Sequence, residues 1–247
     1  MEGMARHAAR APGEAQSTRG TSYYVGLVMI LAGLGVLGYV GWQLYGTNYV
    51  SRQAQDDTVT ELRQEWSGGG STGSASRSGS GEQARVRLGE ASALVRIPRF
   101  GDDYVIPVLE GIGSVVLATG YGHFPDSADP GARGNYALAA HRITHGEPLR
   151  DMPELRPGDE VIIETRDMVF TYELDTNPNN LVVTFEDVWV VDPLPDNPLE
   201  GGVEPTQEPG QRLITLTTCA ELFHTDDRLI AFGHLVDTAP KSPGAGS

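Results

Sequence analysis

The sequence predicts an all-β domain, a barrel or a sandwich, carried behind a single membrane-spanning helix, and three observations point there. No residue between Arg19 and Arg52 carries a formal charge, and residues 23–45 are predominantly apolar. Residues 67–81 are almost entirely Gly and Ser, which marks a flexible boundary. Beyond that boundary the apolar runs are short, rich in Val, Ile, Phe and Tyr, and separated by turn residues.

The apolar stretch comes first. As a helix, residues 23–45 would extend roughly 34 Å at 1.5 Å per residue, enough to cross a hydrocarbon core of about 30 Å. Tyr23, Tyr24, Trp42 and Tyr45 stand at its ends, where interfacial aromatics belong. It is longer than the apolar region of a cleaved signal peptide and no small-x-small cleavage site comes after it, so it is expected to remain as one helix in membrane lipid. Arg6, Arg10 and Arg19 precede it, whereas Arg52 is soon followed by Asp56 and Asp57. The excess of arginine on the N-terminal side predicts a cytoplasmic tail over residues 1–22 and an extracellular location for the chain beyond the span. Residues 46–83 then read as a juxtamembrane segment and linker, with a short polar helix over 53–66.

The domain itself is expected over residues 84–238, ahead of a flexible tail at 239–247. Candidate strands lie at 93–97, 104–108, 136–141, 160–165, 169–175, 181–191, 212–218 and 228–236. Phe170, Tyr172 and Leu174 alternate with Thr171 and Glu173, the pattern of a half-buried strand. In Arg156-Pro157-Gly158-Asp159 the proline presets the first corner of a turn and the glycine takes the positive φ of the second.

Charge and cysteine content narrow the function. The formal net charge is −15, from 33 acidic against 18 basic residues; the first 81 residues are balanced, so the acidity belongs wholly to the domain. Such a surface excludes a nucleic-acid partner by lacking a basic footprint. The one cysteine, Cys219, excludes an intramolecular disulfide and any zinc site with two thiolates. His141 and His145 are four apart, but Arg142 stands where a metalloprotease would carry its glutamate, so neither a metal nor another cofactor is expected.

A lone thiol outside the cell is a candidate nucleophile. Cys219 closes the apolar run Leu213-Ile214-Thr215-Leu216-Thr217-Thr218, a strand end that can present a side chain rigidly to a cleft. A thiol with an ordinary pKa near 8.5 needs a base or cationic partner at neutral pH. His7 is on the wrong side of the membrane, and His123, His145, His224 and His234 read as loop or strand-end residues. His141 closes the apolar strand Tyr136-Ala137-Leu138-Ala139-Ala140, and His224, just beyond Cys219, is its nearest competitor. Arg228 opens the run Leu229-Ile230-Ala231-Phe232. It is either a surface arginine paired with Asp226 and Asp227 or, if the strands starting at Arg212 and Arg228 pair, an oxyanion donor beside Cys219.

Thr215-Leu216-Thr217-Thr218-Cys219 resembles the sortase signature Thr-Leu-x-Thr-Cys, preceded by a strand ending in Ala140-His141-Arg142 and followed by Arg228 at the head of the last strand. The resemblance covers residues 84–238 and is nearest to the class E sortases of high-GC actinobacteria. It implies a closed eight-stranded β-barrel with short helices, with Cys219 as nucleophile, His141 as general acid/base and Arg228 as transition-state stabiliser. Thr217, Thr218, Ala140 and Phe124 would line the substrate groove. Ala140 replaces the usual glycine before the histidine, and His145 stands where many relatives have tyrosine.

The implied reaction is transpeptidation: cleavage between Thr and Gly of a sorting signal on a secreted protein, Leu-Ala-x-Thr-Gly for this class, and transfer to a peptidoglycan precursor amine. The alternatives are an L,D-transpeptidase-like wall enzyme, although its Ser-x-Gly-Cys turn is missing, and a catalytically silent exterior binding domain.

Overall fold

The computed structural model describes residues 20–42, 46–67, 89–219 and 226–241. The tail before residue 20, the far end of the apolar stretch, most of the Gly/Ser linker, His224 and the last residues of the C-terminal tail lie outside this set. The chain forms two compact units, Met1–Trp42 and Gln43–Ser247.

The described part of the first unit is α1, Thr21–Gly41. Within it Ser22–Gly41, 20 residues, is long and apolar enough to cross a membrane. The second unit opens with α2, Thr47–Ser67, which is longer than the short helix expected over 53–66. Ser51, Gln55, Val59 and Leu62 are its buried residues. Their spacing of four, four and three places them on one face, and that face packs on the strands Ala91–Arg96 and Ile106–Glu110 and the short helix Ser114–Thr119. Two of the four are polar, which is why no apolar stripe announces the contact in the sequence.

The strands are β1 Ala91–Arg96, β2 Ile106–Glu110, β3 Tyr121–His123, β4 Gly134–Ala139, β5 Glu160–Glu164, β6 Met168–Leu174, β7 Val182–Val183, β8 Arg212–Cys219 and β9 Arg228–Pro240, and α3 is Ser114–Thr119. The strands pair in the order β6-β5-β1-β2-β3-β4-β8-β9, and β6 pairs with β9, so eight strands close into a barrel. The two-residue β7 adds to β9 outside the ring. β2–β3 and β4–β8 are parallel, and the other ring pairs are antiparallel. Closure leaves the ring without unpaired edges, which removes the exposed backbone groups on which another strand could pair.

The interior is filled by alternate residues of the strands, among them Val95, Val108, Tyr136, Leu138, Ile163, Tyr172, Ile214 and Leu216. On β9, Leu229 and Ala231 face this interior, while Ile230 and Phe232 pack on an outer cluster with Leu181, Val183 and Val190. Burial on both faces explains why Leu229-Ile230-Ala231-Phe232 is apolar without alternation. The Arg156–Asp159 turn forms as expected: Asp159 N–H donates to the Arg156 carbonyl at 3.1 Å and Gly158 has φ +89°.

Three further elements differ from the sequence expectation. The strand expected over 181–191 is confined to β7 and then turns, because Asp187 Oδ2 accepts from both the backbone N–H and the hydroxyl of Thr184 at 2.7 Å. A 3-10 helix, Val188–Val191, comes next and buries Val190. It is tied to the barrel by Asn135 Nδ2, which donates to the carbonyls of Val190 and Asp192, and by the Thr215 hydroxyl, which donates to Val190 O and Asn135 Oδ1. β3 has no counterpart among the expected strands, being three residues long and containing a glycine. That glycine is required, since a Cβ on Gly122 would lie 2.4 Å from the Gly111 carbonyl oxygen. The helix α3 occupies the connection into β3, where no helix is expected from the sequence.

Candidate active site

The expected residues come together through three adjacent strands, β4, β8 and β9. Parallel pairing of β4 with β8 sets Ala139 beside Thr217, and the ladder continues past the end of β4 as Ala140 N–H donates to Thr217 O at 3.2 Å. The Thr218 hydroxyl donates to Ala140 O at 2.7 Å. The residue after Ala140 is His141, and the residue after Thr218 is Cys219. Antiparallel pairing of β8 with β9 then sets Arg228 directly opposite Cys219 in the ladder. His141, Cys219 and Arg228, separated by up to 87 positions in the chain, are thus neighbours at one end of one sheet.

The surroundings of His141 depress its basicity. Its ring stacks on that of His145 with 4.6 Å between centroids and 26° between planes. Thr144 Oγ1 lies 3.5 Å from His141 Nδ1 and 3.0 Å from His145 Nδ1. Burial, and secondarily the charge His145 can carry, lower the His141 pKa to about 4. The main chain is pinned as well, with Leu149 N–H donating to His141 O at 3.0 Å. Arg228 is held by donation of Nη1 to the Asp227 carbonyl at 2.9 Å, and its guanidinium lies 5.5 Å from the centre of the Phe185 ring.

The residues expected to line a groove fall into two groups. Thr217, Thr218 and Ala140 are at the level of the trio but buried, at 8%, 3% and 6% exposure, and the Thr218 hydroxyl and Ala140 carbonyl bond each other. Phe124 follows β3, and its N–H donates to Ala137 O, four residues before His141. Two neighbours of His141 have no assigned part in the sequence reading, His145 and Thr144. The four-residue spacing of the two histidines is visible in the sequence, but a loop rather than a helix brings their rings together. Among the described residues no group of three or more His, Cys, Asp and Glu side chains is arranged to hold a metal ion.

Comparison with known proteins identifies the family of this fold. The sortase domain model matches residues 95–236. Sortase SrtE1 of Streptomyces coelicolor is 34% identical over 256 aligned positions, covering 99% of this chain; the chain spans 64% of that relative's length. The structure of sortase E from Streptomyces avermitilis superposes with a TM-score of 0.55 at 40% identity, over 65% of this chain and 96% of that one. The structure of sortase E1 from Streptomyces coelicolor with a tripeptide in its active site gives a TM-score of 0.54 at 35% identity, over 64% of this chain and 96% of that one. With the domain model matching more than half of its length onto a closed barrel of the same architecture, this chain belongs to the sortase family, the cysteine transpeptidases.

Proposed function

We propose that the chain is a membrane-anchored transpeptidase that cleaves a Leu-Ala-x-Thr-Gly sorting signal between Thr and Gly and joins the secreted protein to a peptidoglycan precursor amine. The observation that carries this reading is the convergence of three strand ends, with Arg228 opposite Cys219 and His141 next in the chain after the residue bonded to Thr218. His141 rests neutral at pH 7 because its pKa is lowered, so it is available to take the thiol proton. The sulfur of Cys219 then attacks the threonine carbonyl carbon, and the charge that develops on oxygen faces the planar donors of Arg228. As the C–N bond breaks, His141 returns its proton to the glycine amine, leaving a thioester on Cys219. The acceptor amine attacks that thioester, gives its surplus proton to His141 and releases the thiolate. The tripeptide in the active site of the Streptomyces coelicolor enzyme supports a peptide occupant for the corresponding site here.

The apolar helix supports a single-pass topology, with the N-terminus cytoplasmic and the barrel extracellular near secreted substrates. The test uses the full chain in detergent micelles with a fluorogenic Leu-Ala-x-Thr-Gly peptide. Cys219→Ala abolishes cleavage, and His141→Ala lowers kcat by about 10² to 10⁴. The proline counterpart peptide is cleaved more slowly. Residual cleavage by Cys219→Ala overturns the nucleophile, and a preference for proline removes the Leu-Ala-x-Thr-Gly assignment alone. Protease added to intact protoplasts digests the barrel and spares the N-terminus; protection of the barrel overturns the topology.

A further inference from the structure

The loop after His141 contains an unusual piece of backbone. His145, Gly146 and Glu147 have φ of 53°, 81° and 57°, and His145 and Glu147 are the two non-glycine residues with positive φ among the described residues. Left-handed backbone is strained at a residue with a Cβ, and it persists only where the surroundings hold it. Much of what holds it comes from α2, some ninety residues earlier in the chain. Asn48 Oδ1 accepts from Gly146 N–H at 3.1 Å, and its amide donates to Glu147 Oε1 at 2.9 Å. Gln55 Nε2 donates to His145 O at 3.2 Å. Asn48 and Gln55 are seven residues apart, two turns on one helix face.

Gln55 is 2% exposed, and a polar amide is expensive to bury unless it is hydrogen-bonded. The fit is close enough that a Cβ on Gly146 would lie 2.5 Å from Gln55 Nε2. The turn in turn carries the His145 ring that lies on His141. We propose that α2 is a positioning element of the active site: Asn48 and Gln55 clamp the left-handed turn at residues 145–147 and thereby hold His145 stacked against His141. This rests on the reading of His141 as the acid/base, and it makes the helix between the apolar span and the Gly/Ser linker part of the catalytic unit. Asn48 and Gln55 touch no reacting atom; they act through His145.

The test compares the full chain in detergent micelles with the variant carrying both Asn48→Ala and Gln55→Ala. With the clamp removed, kcat falls by about 10- to 10²-fold while KM stays close to wild type. The His141 titration followed by NMR, with its resonance assigned by its loss in His141→Gln, moves from about 4 toward the ordinary 6.5. The titratable and charged groups on the elements around this site are Arg142, His145, Glu147, Arg150 and Asp151 in the loop, Arg52 and Asp56 on α2, Cys219 on β8 and Arg228 on β9, and the substitutions change none of them. Gln55→Met, similar in length, uncharged and lacking the donor, gives the same readings should the double variant fail to fold. Glu65→Gln, which removes the ion pair of α2 with Arg166 at its other end, leaves kcat unchanged. An unchanged kcat without the clamp, a fall in kcat with the His141 midpoint unmoved, or an equal fall in Glu65→Gln each overturns the proposal. Full activity of His141→Ala would instead remove the acid/base reading on which it rests.

Discussion

Thr218→Val isolates the side-chain bond that ties the residue before Cys219 to the residue before His141. Valine has the shape of threonine, so packing at this buried position is kept and what disappears is the 2.7 Å bond from Oγ1 to Ala140 O. The loss of that bond and the exposure of the carbonyl to an apolar methyl cost about 1–2 kcal/mol. A change of 1 kcal/mol moves the midpoint by about 2–4 °C in a domain of this size, so the barrel should melt about 2–8 °C lower. Because the freed carbonyl immediately precedes His141, kcat should fall by about 10-fold with little change in KM. Differential scanning fluorimetry and peptide cleavage on the full chain in detergent measure both. A midpoint within about 1 °C of wild type together with an unchanged kcat would show that the bond contributes nothing and that the main-chain bonds of Ala140 and His141 hold the site unaided.

Arg228→Lys should lower kcat nearly as much as Arg228→Ala, about 10²-fold or more, because a point charge does not reproduce a planar fork; a fully active lysine variant would return Arg228 to a surface role. Gly131→Ala should destabilise the barrel by about 1–3 kcal/mol with kcat unchanged, since Gly131 has φ +74° and a Cβ would lie 2.2 Å from the Phe170 ring; an unchanged melting point would mean the ring moves freely aside. Because the folded-state pKa of His141 is depressed to about 4, the unfolded chain binds more protons than the folded one between about 4 and 6.5. Stability from this residue is therefore present above about 6.5 and lost as pH falls toward 4, by about 1–2 kcal/mol after allowing for its partial exposure. Urea titrations at several pH values should show His141→Gln flatter than wild type across that window, and parallel curves would contradict the depressed pKa.

Residue type and period carry much of this structure. The uncharged stretch after Arg19 can form an apolar helix whatever its neighbours, and the alternation of Phe170, Tyr172 and Leu174 with Thr171 and Glu173 specifies the pleat of β6, because local backbone geometry repeats every two residues. The motif ending in Cys219, the histidine at the end of an apolar run and the arginine opening another are all readable, since each chemistry demands particular side chains. Other features have no local signal. β3 is too short for a period, and 181–191 reads wrongly as one strand because its apolar content reports burial of Val183 and Val190 but not the Thr184–Asp187 turn between them.

Side-chain chemistry and short-range periodicity are enough to read the apolar helix and the β character of the domain, and the resemblance of a few short motifs singles out Cys219, His141 and Arg228 as candidates. Folding adds that Arg228 stands opposite Cys219, that β6 closes on β9, and that a polar helix before the Gly/Ser linker bonds to the turn beside His141. Strand register and the docking of Asn48 and Gln55 depend on hydrogen bonds between groups far apart in the chain. A polar residue looks the same in the sequence whether its partner is water or the carbonyl of His145, so that distinction appears only when the chain has folded.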